Sequence, residues 1–66
     1  MSEQENHRAE LKKLSARATQ AKMDLHDLSE ELPIGWQDVL KVAQTAHDAY
    51  AALERKRAEI QFEAGT

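Results

Sequence analysis

Cysteine is absent from the 66-residue chain. This excludes a disulfide framework and a thiolate metal site, and it fits a reducing compartment. Long apolar runs are missing too: nothing approaches the roughly 20 residues of a membrane span. The opening MSEQENHRAE is too polar for a secretory signal, so a cytoplasmic chain with no membrane contact is expected. Glycine occurs twice and proline once, which leaves few helix breakers and no glycine-rich phosphate loop. Basic charge is not in excess either, since nine Lys and Arg against twelve Asp and Glu give a net charge of -3. That balance counts against a dedicated nucleic-acid binder. Size is the last shortage, because a chain this short makes at most one small domain and struggles to bury enough apolar surface alone.

What is present is periodicity. Leu11, Leu14, Ala18, Ala21, Leu25, Leu28 and Leu32 recur at alternating spacings of three and four, which is a heptad seam. Trp36, Val39, Ala43, Ala46, Tyr50, Leu53, Arg57 and Ile60 repeat the alternation, with the methylene stem of Arg57 able to lie along the seam. Val42 and Ala49 widen this second stripe. Between the two series Pro33 removes a backbone donor and biases Leu32 away from helix, and Gly35 opens backbone angles closed to other residues. Asp38 would sit in the first turn of the second helix, where its charge complements the positive helix end.

The fold expected is therefore all-α, an antiparallel two-helix hairpin over about 6–31 and 36–63 in one domain, with frayed ends at about 1–5 and 64–66. Residues whose numbers sum to about 68 should face each other across so short a connection. This opposes Leu28 to Val39 or Leu40, Leu25 to Ala43, Ala21 to Ala46 or His47, Ala18 to Tyr50, and Leu14 to Leu53. Tyr50 would fill the space opposite Ala18. Two helices leave apolar stripe facing water, so pairs of hairpins are expected to stack as a homodimer or higher oligomer, completing a four-helix bundle. Its core would be Leu11, Leu14, Ala18, Ala21, Leu25, Leu28, Val39, Ala43, Ala46, Tyr50, Leu53 and Ile60.

Charge is unevenly spread. The stretch KMDLHDLSEELPIGWQDVL carries five acids, Asp24, Asp27, Glu30, Glu31 and Asp38, with no Lys or Arg between Lys22 and Lys41. Four of these acids precede a helix C-terminus, where the helix dipole favours bases. Folding the hairpin brings Arg8, Lys12, Lys13 and Arg17 beside Arg55, Lys56 and Arg57, seven of the nine bases. Two hairpins packed antiparallel would bring an acidic tip toward a basic belt, and the same tip could instead dock on a basic surface of another protein. Solvated faces with weak local ion pairs would account for the same pattern.

His26 and Glu30 share a helix face at i, i+4 and could give two ligands to a divalent transition metal, with His47 or a second chain completing the set. A lone exposed histidine is more often simply solvated. No histidine falls at a spacing that would serve Ser15 or Ser29 as a base, and a two-helix rod offers no deep pocket, so a non-enzyme is expected. Trp36 is expected to cap the end of the core, the alternative role being a partner anchor.

The segment LKKLSARATQAKMDLHDLSEELP, followed by an aromatic and a second helix, resembles the small Rop-like helical-hairpin proteins encoded in bacterial nitrogen-fixation gene clusters. The likeness runs from Leu11 to Ile60 and is most distinctive in ATQAKMDLHDLSEELP with its turn and aromatic. It implies a cytoplasmic hairpin that self-associates and binds a nitrogenase component or assembly factor in assembly, protection or repair. It carries over no catalytic residue. What it adds is weight for Met23, Asp24, Leu25, His26 and Asp27 as a partner-binding surface, with Glu30, Glu31 and Trp36 beside them. The plasmid-copy regulator that names the family binds paired RNA loops through a helix face. Lys12, Lys13, Arg17, Arg55 and Lys56 could do likewise, but Phe62 is the one aromatic at that end, and RNA ranks below protein as the expected partner.

Overall fold

The computed structural model describes the backbone of residues 3–65 and the side chains of residues 6–61. Helix α1 runs from Glu3 to Glu31 and helix α2 from Val39 to Gly65, with a short 3-10 turn at Trp36–Asp38 between them. The helices lie antiparallel in a rod of 49 × 18 × 13 Å. Ala, Leu, Glu, Gln, Lys and Arg fill both helices, so local propensity and the apolar period agree. The expected limit at residue 31 is met. Helix α1 begins three residues earlier than expected, and the second helix opens as 3-10 before becoming α-helical at Val39. The expected fraying concerns ends whose side chains, with Met1, Ser2 and Thr66 altogether, lie outside the described residues.

The turn follows from Pro33 and Gly35. Three successive backbone bonds close it, from Ile34 N–H to Glu31 O at 2.9 Å, Trp36 N–H to Pro33 O at 3.3 Å, and Asp38 N–H to Gly35 O at 2.9 Å. Gly35 adopts φ 79°, ψ 13°, a left-handed conformation that side-chain-bearing residues rarely take. A Cβ there would also sit 3.1 Å from Leu28 Cδ1, so the turn backbone packs directly on the end of the α1 stripe.

Within the hairpin the helices meet through small residues. Ala18, Ala21 and Ala46 are buried with Leu53, while Leu11, Leu14, Leu25, Leu28, Val39, Ala43 and Ile60 are half-buried. Alanines at the contact permit close helix approach, and they leave little apolar bulk inside.

After the turn, three details differ from the sequence expectation, and one alternative it left open is decided. Lys56, not Arg57, is the long basic side chain laid between the helices: Lys56 is 9% exposed and Arg57 is on the surface. Tyr50 is exposed and does not fill the space opposite Ala18. Of the two candidates opposite Leu28, Val39 is half-buried and Leu40 points out, 84% exposed. Trp36, 64% exposed, does not cap the core of the hairpin. One cause covers the first two differences, because α2 is turned about its axis so that Val42, Ala46, Ala49, Leu53, Lys56 and Ile60 make its buried and half-buried line. Relative to the expected seam this is a rotation of roughly 50°, half the angle between successive residues. Trp36 is carried outward by the 3-10 turn that follows Gly35.

Candidate protein-interaction surface

The hairpin tip is assembled from the last two turns of α1, the connection, and the first turn of α2. Along α1 an i, i+4 network holds the polar side chains. Gln20 Nε2 donates to Asp24 Oδ1 at 2.9 Å, and His26 Nε2 meets Glu30 Oε1 at 2.8 Å. The Ser29 hydroxyl donates to the His26 carbonyl at 2.7 Å. All of these groups are exposed, so each contact adds only a few tenths of a kcal/mol. The last turn of α1 contains no base. The side-chain partners these acids find along α1 are an imidazole and an amide, and the His26–Glu30 contact is an ion pair only when the imidazole is protonated.

Of the residues singled out from the sequence as partner-binding, Met23, Asp24, His26, Asp27, Glu30, Glu31 and Trp36 are exposed and Leu25 is half-buried. Leu25 instead lines an open apolar groove along the flank with Lys22, Ala43, Tyr50 and Ala51. His47 stands on that groove wall and pairs along its own helix, its Nδ1 3.2 Å from Asp48 Oδ1. Gln44 Nε2 donates to the same carboxylate oxygen at 2.8 Å. The hydrogen bond with His47, then that from Gln44, holds the Asp48 carboxyl below its ordinary range. The chain by itself therefore does not bring His47 to the His26–Glu30 pair, and among the described residues no three His, Asp or Glu side chains converge as a metal set would require.

Sequence reasoning missed the apolar part of the tip. Leu32, Ile34 and Leu40 join Trp36, so among the described residues four of the six exposed large apolar side chains fall within nine consecutive residues. The available signal was phase. Ile34 lies in the turn and Leu40 one residue past Val39, both off the heptad positions.

The opposite end is built differently. The Lys56 ammonium is held between the helices by Glu10 Oε2, with Glu59 Oε1 3.7 Å away. The hydrogen bond to Glu10 raises the Lys56 pKa above its usual value, and the bond from Lys56 in turn lowers that of Glu10. Lys12, Lys13, Arg17, Arg55 and Arg57 remain exposed there, so the basic belt presents one charge fewer than the sequence suggested.

The sequence matches the Rop-like family over residues 2–64. A UPF0437 protein of Azorhizobium caulinodans is 50% identical over 66 residues, covering 98% of this chain and 96% of the relative. A second, from Frankia alni, described as a UPF0437 protein in the nifX-nifW intergenic region, is 56% identical over 43 residues, 65% of this chain and 52% of the relative. Among solved structures, an NMR structure from the Northeast Structural Genomics Consortium superposes with a TM-score of 0.90 at 45% identity, covering 98% of this chain and 93% of that one.

Proposed function

Because the chain belongs to the Rop-like family, we propose that it is a non-catalytic accessory protein of nitrogen fixation. It pairs with a second copy and binds a nitrogenase component or its assembly factor in the cytoplasm. The observation that carries the nitrogen-fixation part is the relative from the nifX-nifW region, 56% identical over 43 residues of this chain. Non-catalytic action is supported by the state of Ser29, whose hydroxyl is engaged with a backbone carbonyl on its own helix and not with an imidazole.

Self-association is supported by area. The chain exposes 5592 Å², against about 4,200 Å² for a compact monomer of its mass. The difference exceeds the ~800 Å² per partner of a standard interface. The half-buried stripe of Leu11, Leu14, Leu25, Val39, Ala43 and Ile60, with Tyr50 beside it, is what a second hairpin would cover to make a four-helix bundle. Sedimentation of a dilute sample tests this: a dimer is expected, and a compact, fully helical monomer with hidden stripes would overturn it.

The partner is tested by tagged pull-down from nitrogen-fixing cells with mass spectrometry. Recovery of nitrogenase subunits or their assembly factors is expected, with loss when Asp24, His26 and Asp27 are all replaced by Ser. Retention of RNA alone would sink the proposal. A divalent-metal reading of the same surface rests on the His26–Glu30 pair and needs ligands from a second chain. Equilibrium dialysis with zinc, before and after His26→Ala, tests it.

A further inference from the structure

The geometry points to the hairpin tip as a docking surface for a cationic, apolar segment of another protein, centred on Ile34, Trp36 and Leu40. This rests on the protein-binding reading above for the existence of a partner and adds the partner's chemistry. The apolar patch carries the inference. Ile34 is 73% exposed and Leu40 84%, and Leu32 completes a cluster that the hairpin does not cover. Trp36 in the 3-10 turn and Leu40 in the first turn of α2 follow within five residues, 64% and 84% exposed. Exposed large apolar side chains this close along the chain, with a tryptophan among them, are the composition of an interface centre.

Charge then selects the occupant. Glu30, Glu31 and Asp38 adjoin the patch, and no Lys or Arg occurs between Lys22 and Lys41. A segment bearing Lys or Arg beside Leu, Ile or Phe would cover the patch and neutralise its surroundings together. Two tips meeting each other would set like charges face to face, which disfavours a second copy here. A second copy also has a different place to go, the open groove on the flank lined by Leu25, Ala43 and Tyr50. An anionic membrane is disfavoured by the same acids.

Selection of a displayed library of random peptides, about four helical turns long, against the purified full chain tests the inference without any nitrogen-fixing extract. Its failure is thus separable from failure of the nitrogenase pull-down. Enrichment of Lys and Arg with Leu, Ile or Phe is expected, with binding that weakens in salt. The double variant Ile34→Ser, Leu40→Ser should lose about tenfold or more in affinity while keeping its far-ultraviolet helicity, because both side chains are already in water. Glu31→Gln with Asp38→Asn should weaken the same peptides. In the unaltered chain the peptides should shift the emission of Trp36, the single tryptophan, to the blue. No enrichment, enrichment without basic residues, or an unmoved Trp36 would overturn the inference. So would a blue shift on concentrating the protein alone, which would assign the tip to a second copy.

Discussion

The two ends of the hairpin handle charge and apolar surface in opposite ways. In the half of the rod toward the chain termini, Leu53 is buried, and the buried Lys56 meets Glu10 across the hairpin and Glu59 along its own helix. At the tip, acids outnumber bases five to none from Asp24 to Asp38, and Leu32, Ile34, Trp36 and Leu40 stand in water. Large apolar residues thus serve two purposes. Where they face the other helix they hold the rod closed, and where they face out they are what the proposed partner would cover. Under the proposed function, stability and recognition are separated along the long axis, so substitutions should sort by position and not by residue type.

The sharpest way to break that separation is a matched pair of leucines. Leu53→Ala, at 5% exposure, should cost about 2–4 kcal/mol in denaturant unfolding. Leu40→Ala, at 84% exposure, should stay within about 0.5 kcal/mol. Equal losses would show that the tip is as structural as the far end. Next in size, Gly35→Ala should cost about 1–2 kcal/mol, from the positive φ and the crowding on Leu28. A neutral result would mean that the turn relaxes freely.

The enclosed ion pair should show in the pH profile. The lowered Glu10 pKa gives stability that is present above its unfolded value and lost as pH falls through the folded one. The raised Lys56 pKa gives stability that is present below its unfolded value and lost as pH rises through the folded one. Both contributions are therefore complete between about pH 5 and about pH 10, and Lys56→Met should flatten the two limbs in thermal melts that extend beyond both ends of that range. The smallest effect belongs to the tip again: His26→Ala removes an exposed i, i+4 pair and should change stability by less than about 0.5 kcal/mol. A larger loss on thermal melting would give the acids of α1 a structural role that their exposure denies.

Most of the architecture was legible because leucines and a Pro-x-Gly turn are strong signals. Leu11, Leu14, Leu25 and Leu28 fixed the inner face of α1, and Pro33 with Gly35 fixed where the chain reverses. The rotation of α2 was not legible. Two overlapping series run through Ala46 and Leu53, one by Tyr50 and Arg57, the other by Val42, Ala49 and Lys56, and alanine-rich spacing cannot choose between them. The choice is made by contact, since alanines bring the helices too close for a tyrosine ring while the slender Lys56 stem fits and finds Glu10. At the candidate surface the charged half was legible from composition. The apolar half was not, because Ile34 and Leu40 belong to neither stripe and only their exposure gives them meaning.

The Glu10–Lys56 pair also bears on how the two helices stay aligned. Smooth alanine surfaces offer little resistance to one helix sliding past the other, and a slip of one turn would leave the stripes roughly matched. It would, however, set the ammonium against Asn6 or Leu14, with Glu10 lost and only the more distant Glu59 of its own helix beside it. With the turn fixing one extremity and this contact the other, the hairpin is pinned like a ruler at both ends, and its length is held constant for whatever grips it.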